Sequence, residues 1–230
     1  MKKTKKFVLF IGGPSCSGKT TVSKIIAGPD SRAKKINYYS AMHKTGKSAG
    51  WSNKKMLENW EELQMLFFER AVYPALKKHD SLIIDIHYSF QRESNPSTAF
   101  TKRVYPVNTE ITLSVSKEFL ERIKGMGAAT GVFLIASPPK ILYKRQAKDH
   151  KIMGVHLSPL STIKVELEKE AELWGRMKKI LLSLKTKFKA ERFINIDKKN
   201  CKTIAEKIMR LMNEYSDKRK RDFRRLQGVF

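Results

Sequence analysis

Residues 7–26 read FVLFIGGPSCSGKTTVSKII: an apolar run, a short glycine-bearing stretch, and a segment spaced like a helix. Gly13 to Thr20 satisfies G-x-x-x-x-G-K-[ST], and its position between an apolar strand and a helix is the context that this pattern requires. In such a loop the backbone N–H groups of residues 15 to 20 turn inward around phosphate oxygens, while Gly13 and Gly18 take backbone angles that a β-carbon would obstruct. The positive end of the following helix adds to the anion site. Lys19 brings a cation to the β- and γ-phosphates, and the Thr20 hydroxyl is placed to ligate Mg²⁺. Gly13, Ser15, Cys16, Ser17, Gly18, Lys19, Thr20 and Thr21 are therefore the expected nucleotide-binding residues, with ATP and Mg²⁺ as cofactors. The loop amides are expected to lower the pKa of the Cys16 thiol and make it oxidisable.

Further apolar runs rich in β-branched or aromatic residues recur at 36–39, 81–86, 131–136 and 192–196. Long stretches of helical character separate most of them, which predicts a doubly wound α/β domain with a mainly parallel sheet covered on both faces. Over 52–79, Met56, Trp60, Leu63 and Phe67 fall on one helical face, with Ser52 as cap and Pro74 as a kink or stop. A second long helix is expected over 159–187, with Ser158 as cap and Pro159 in the first turn. Its stripe of Ile163, Leu167, Glu170, Trp174 and Met177 is mostly apolar and reads as core. Residues 91–119 are polar and look like an inserted loop, with a hairpin strand at 110–115. A last helix over 202–215 precedes the basic segment SDKRKRDFRR at 216–225. The chain thus reads as one domain over 1–215 and a basic tail over 216–230.

Composition narrows the partners. The 230 residues, 41% of them hydrophobic, suffice for a core of ordinary size. Lys plus Arg number 47 against 22 Asp plus Glu, a net charge of +25. Such a field attracts nucleic acid, anionic lipid or polyphosphate substrates, or it belongs to a generally basic, well-solvated surface. Cys16 and Cys201 are far apart, and neither has a cysteine or histidine at metal-ligand spacing, which argues against a disulfide framework or a structural zinc. The apolar part of the opening MKKTKKFVLFIGG is shorter than a signal sequence needs, and no stretch approaches a membrane span. The expected location is cytoplasmic, with no membrane partner.

Other candidate residues follow from position. The third apolar run, SLIIDIH, ends with Asp85 and His87. A carboxylate at the carboxyl end of a strand beside the phosphate loop is placed to hold Mg²⁺, and His87, two residues on, is expected on the same side, orienting a water or the acceptor. Arg145 and Arg176 flank the polar stretch KDHKIMGVHLSP, which suits a lid closing over phosphates, and the two arginines are the candidates for stabilising the transferred group. A second GKS, in HKTGKS at 43–48, has Ala41 where the pattern needs a glycine and lacks the strand-to-helix context. His43, Lys44 and Lys47 there are candidates for facing a phosphate-bearing acceptor.

Taken in order, the phosphate loop, INYYSAMH after the second strand, DIH at the third, GVFLIAS before an arginine-bearing lid, and a late helical arginine resemble the P-loop nucleotide kinases. Within these, the chain looks most like the archaeal-type adenylate kinases and the adenylate-kinase-like ATPases of ribosome assembly, which share an Asp-x-His at the position of Asp85 and His87. The resemblance implies a five-stranded sheet in the order 2-3-1-4-5, an acceptor-binding helical part over 38–79 and a lid over 146–158. It implies Gly13, Ser15, Ser17, Gly18, Lys19 and Thr20 on the ATP phosphates, and Arg145 and Arg176 on the transferred group. It also implies Thr20 and Asp85 on Mg²⁺ and His87 on water or acceptor, which makes Lys19, Asp85, His87, Arg145 and Arg176 the expected catalytic set. The lid carries Lys148, His150, Lys151 and His156 in place of arginine, and Arg70 is the only arginine in 38–79. The expected activity is transfer of the ATP γ-phosphate to a nucleoside monophosphate, AMP first. The alternatives are an RNA-associated ATPase gripping rRNA through its basic surface, and a kinase of another small-molecule acceptor.

Overall fold

The computed structural model describes residues 6–28, 33–91, 111–153 and 159–227. Among these residues seven strands are formed, in this order: β1 (Phe7–Gly12), β2 (Ala33–Asn37), β3 (Ser81–Ile86), β4 (Ser89–Gln91), β5 (Ile111–Leu113), β6 (Ala129–Ala136) and β7 (Phe188–Ile194). The helices are α1 (Lys19–Ile26), α2 (Tyr38–Ser48), α3 (Asn53–Glu58), α4 (Trp60–Phe67), α5 (Tyr73–Lys78), α6 (Lys117–Gly125), α7 (Pro139–Met153), α8 (Leu160–Ser183) and α9 (Lys198–Gln227). Five strands form one all-parallel sheet in the order β2-β3-β1-β6-β7, while β4 and β5 make a separate antiparallel pair. With that pair left out of the count, the order is 2-3-1-4-5.

The sheet is apolar on both faces because both are covered. Val8 and Phe10 of β1 point into a core shared with α2 to α6 and α8, and Leu9 and Ile11 into a second core closed by α1 and α9. Register sets the site: Ile11 lies beside Asp85 and Gly12 beside Ile86 and Leu134, so β1, β3 and β6 deliver their chains to the same edge.

Several boundaries differ from expectation for identifiable reasons. The second strand covers 33–37 rather than 36–39, because the Asn37 side chain accepts the Ser40 N–H at 3.0 Å and starts α2 at Tyr38. Ser52 caps as expected, its Oγ accepting the Lys55 N–H at 3.1 Å. The helix that follows is broken at Asn59 and widens into a π-turn at Phe68–Val72, where Pro74 withdraws the N–H that would reach back to residue 70. The hairpin strand expected over 110–115 is β5, paired with β4. Ser116 then caps α6, a helix not foreseen, whose Phe119, Leu120 and Ile123 enter the core. The lid expected over 146–158 begins as the end of α7 rather than as a loop, and 154–158 fall outside the described residues, as do 92–110 and Ser158. The last helix runs on to Gln227, past the stop expected at Tyr215. The second GKS sits inside α2, where a β-carbon on Gly46 would stand 2.2 Å from the Met56 sulfur, so this glycine serves helix packing.

Beneath the carboxyl edge of the sheet lies Tyr88, fully buried. Its hydroxyl is 2.9 Å from the Phe133 carbonyl and 3.2 Å from that of Phe10, joining β6 to β1. Burial, with Glu170 nearby, holds the phenol pKa well above its ordinary value, so it stays a donor. The ring fills the space a β-carbon on Gly12 would need, at 2.3 Å. Tyr88→Phe, which keeps the ring, is expected to cost about 1 kcal/mol of folding stability, and Gly12→Ala, which pushes on an aromatic ring that has nowhere to go, about 2–3 kcal/mol. Urea unfolding of both variants checks this order; a Gly12→Ala protein as stable as Tyr88→Phe would contradict the packing described.

Candidate phosphate-binding site

The segment from Gly13 to Gly18 turns by means of three left-handed residues, Gly13 (φ 146°), Cys16 (φ 61°) and Gly18 (φ 93°). Glycine is needed at both ends for contact as well as angle. A β-carbon on Gly13 would lie 2.0 Å from the Ile135 carbonyl oxygen, and one on Gly18 would lie 2.3 Å from Asn195 Nδ2. The loop is held from outside by the ends of β6 and β7 and by α7. Asn195 Nδ2 donates to the Ser17 carbonyl at 2.7 Å, and Ser137 Oγ donates to the Asn195 carbonyl at 2.5 Å. Arg145 Nη1 reaches the Cys16 carbonyl and Ser137 Oγ, both at 3.1 Å. Because a planar peptide carries its N–H opposite its C=O, tying the Ser17 carbonyl outward turns the Gly18 N–H inward, toward the head of α1.

At that head Lys19 is buried, its Nζ 3.2 Å from the Pro14 carbonyl across the loop. Thr20 Oγ1 donates to Asp85 Oδ2 at 2.7 Å, and Lys35 Nζ of β2 meets the same oxygen at 3.2 Å. Asp85 is 2% exposed, so these polar partners are what make its burial tolerable. A hydroxyl and a carboxylate in contact at the start of α1 are hard oxygen donors of the kind Mg²⁺ takes together with substrate phosphates. The donor chemistry fits that ion. Among the described residues no group of three or more His, Cys, Asp or Glu side chains forms a metal cluster by itself.

The opposite wall is α8. Its buried stripe is Ile163, Glu166, Glu170, Leu173, Met177 and Leu181, with Glu166 in the place given to Leu167 in the expected stripe. Glu166 Oε1 accepts the Ser15 N–H at 3.0 Å, so a carboxylate of the protein stands on one of the loop amides. One turn on, Glu170, wholly buried, accepts the Tyr88 N–H at 3.0 Å through Oε2 and has Oε1 3.6 Å from His87 Nδ1. His87 therefore departs from the side expected of it. The strand ends at Ile86, and His87 is met by α8 and, at 6.2 Å between ring centres, by Tyr39 of α2, whereas Asp85 faces α1. The signal for these glutamates was available: two acidic residues four apart within an apolar helical stripe cannot both face solvent if the stripe is buried.

The expected arginines separate. Arg145 is at the loop, as a support for its backbone. Arg176 lies ten residues beyond Glu166 along α8, about 15 Å of helix, 58% exposed and paired with Glu172 at 2.7 Å; it is not brought to the loop. Arg70, on the π-turn, is exposed, and His43 meets Asn53 at 3.3 Å. Thr21 is exposed on α1, as are Lys148 and Lys151 on α7, while His156 lies outside the described residues.

Cys16 reverses expectation. Its thiol pKa is raised from 9.0 to about 12, first by burial and then by the Asp149 carboxylate, to which Sγ donates at 3.3 Å; Lys19 pulls the other way and loses. At pH 8 Cys16 should therefore alkylate about a thousandfold more slowly than an ordinary thiol, since the thiolate is the nucleophile. Asp149→Asn removes a charge that raises the pKa, so it should speed the reaction and move its pH midpoint down. Mass-spectrometric rates with iodoacetamide from pH 7 to 10, as a chosen range, check both; a fast Cys16 at pH 8 would contradict the contact.

No family model matches the chain, and no curated protein does. Solved structures do. A protein of Chloroflexus aurantiacus provisionally called a kinase superposes with a TM-score of 0.51 at 12% identity, over 92% of this chain and 98% of that one. The tunicamycin resistance protein of Deinococcus radiodurans superposes with a TM-score of 0.50 at 12% identity, over 90% and 96%. At that identity the likeness is one of fold: this chain has the α/β fold of P-loop kinases, with the five parallel strands in their order.

Proposed function

We propose that this chain is a cytoplasmic ATP- and Mg²⁺-dependent phosphotransferase acting on a small-molecule acceptor. The observation that carries the reading is the contact of Thr20 with buried Asp85 at the head of a loop whose Cys16 and Ser17 carbonyls are both engaged from outside. The loop amides and Lys19 would bind the β- and γ-phosphates, and Thr20 and Asp85 would hold Mg²⁺, which offsets charge on the phosphates. Arg145 keeps the loop in shape. The acceptor would enter between α2 and the end of β3, where Tyr39 and His87 face each other. Catalysis would rest on positioning and electrostatics, as phosphoryl transfer needs little covalent help.

The resemblance to adenylate kinases makes AMP and the other nucleoside monophosphates the first acceptors to test. The RNA-associated reading is favoured by one observation, the helical continuation of α9 to Gln227 through the basic sequence KRKRDFRR. For that reading, shortening the chain after Tyr215 should weaken RNA binding and flatten its salt dependence, while leaving ATP turnover in place.

Calorimetric titration with ATP tests the nucleotide site. Lys19→Ala is expected to weaken binding about 100-fold, and Thr20→Ala to abolish the gain that Mg²⁺ brings, with folding unchanged by circular dichroism. Absence of ATP binding to the unaltered protein would sink the proposal.

A further inference from the structure

One oxygen of Asp85, Oδ2, receives two donors: the Thr20 hydroxyl at 2.7 Å from the head of α1, and the Lys35 ammonium at 3.2 Å from β2. The first is the contact a phosphate loop calls for, whereas the second comes from outside the loop and its helix. Resting on the phosphotransferase reading, we propose that Lys35 is an exchangeable counter-ion for the metal-binding carboxylate. It holds Asp85 while no metal is bound, and it reserves that carboxylate for Mg²⁺ that arrives together with nucleotide.

Strand register brings the pair together. β2 runs parallel to β3, with Lys35 opposite Ile83 and Asn37 opposite Asp85. Side chains alternate along a strand, so Lys35 projects on the face of Ile83 and Asp85, which α1 covers, while Ile36 enters the other core. Lys35 sits two residues before the level of Asp85, about 7 Å along the strand. A four-carbon stem spans that offset and sets its ammonium against the carboxylate.

The two partners differ in how firmly they are placed. The Asp85 side chain is 1% exposed and tied to Thr20, whereas that of Lys35 is 19% exposed, and β2 is the outer strand of the parallel sheet among the described residues. Lys35 can therefore give up Oδ2 by swinging its stem toward solvent, with no movement of backbone. Asp85 has no such exit. A lysine suits this exchange, being a point charge on a flexible stem; an arginine would grip the carboxylate with two parallel bonds.

Charge decides when the exchange occurs. A cation held by Thr20 and Asp85 has to share the carboxylate with an ammonium that repels it. As a pair, Asp85 and Lys35 are neutral and offer little to a lone dication, and Mg²⁺ sheds its water reluctantly. Nucleotide phosphates supply the missing negative charge, so Lys35 yields to the metal–nucleotide complex and not to free metal. When that complex leaves, Lys35 returns to Oδ2, and the buried carboxylate keeps a partner throughout.

The test uses the full chain at neutral pH, with Mn²⁺ in place of Mg²⁺ where metal alone is read by electron paramagnetic resonance. Without nucleotide, Lys35→Met should bind Mn²⁺ at least about tenfold more tightly than the unaltered chain. The gain should vanish in Lys35→Met/Asp85→Asn, which assigns it to that carboxylate. Lys35→Arg should leave free Mn²⁺ weakly bound and cut the gain that Mg²⁺ brings to ATP affinity, read by calorimetry, at least about threefold. A lysine that only neutralises a buried charge would lower the unfolding midpoint of Lys35→Met and leave metal affinity alone. Free Mn²⁺ affinity in Lys35→Met within about twofold of the unaltered chain therefore overturns the proposal. So does a gain that survives Asp85→Asn, or an undiminished Mg²⁺ effect in Lys35→Arg. If Lys35→Met does not fold, Lys35→Gln, which keeps a donor and removes the charge, carries the same expectation. Failure of the unaltered chain to bind ATP removes the phosphotransferase reading itself; with ATP bound and metal affinity unmoved by Lys35→Met, that reading stands and the counter-ion falls.

Discussion

A loop that gathers its N–H groups inward must send its carbonyls outward, and those carbonyls need donors that do not compete for the same space. Here the donors come from the far side of the sheet: Asn195 just after β7, and Arg145 from α7, with Ser137 bracing both. The arrangement requires β1, β6 and β7 to be parallel neighbours ending at one edge, which the sheet provides. Gly18 follows as a steric consequence, since Asn195 occupies the volume a side chain there would fill. The phosphate loop is thus less a property of its own eight residues than of the strand ends behind it.

Two layers of helices then give the site two faces of different chemistry. On the α1 side, Thr20, Asp85 and Lys35 form a compact hydroxyl, carboxylate and ammonium group. On the α8 side, Glu166, Glu170 and His87 form a carboxylate-rich wall. Lys19 stands at the junction, buried and held by the loop itself. The hydroxyl–carboxylate contact and the buried glutamates thus belong to different layers of the fold.

What the sequence made legible was local. The loop, the strand before it and the helix after it were evident because glycine, lysine and threonine at fixed spacing leave few alternatives. Asp85 was evident from its place at a strand end. What escaped was non-local. That the strand stops at Ile86 and hands His87 to α8 depends on Glu170, eighty-odd residues away, taking the Tyr88 amide. That Cys16 is a suppressed thiol depends first on its burial in the folded chain and then on Asp149 of α7. Arg176 had the right position in the order of motifs and the wrong helical phase: the neighbouring Met177 is buried, and Arg176 itself is exposed.

Tyr88 gives its amide to α8 and its hydroxyl to the backbones of β1 and β6, and its ring lies under Gly12. A single residue thereby riveted to helix and sheet makes Glu170 a fixed part of the scaffold. Any rearrangement at this edge of the sheet would have to come from segments not fastened in this way, around a Tyr88 and Glu170 that keep their place.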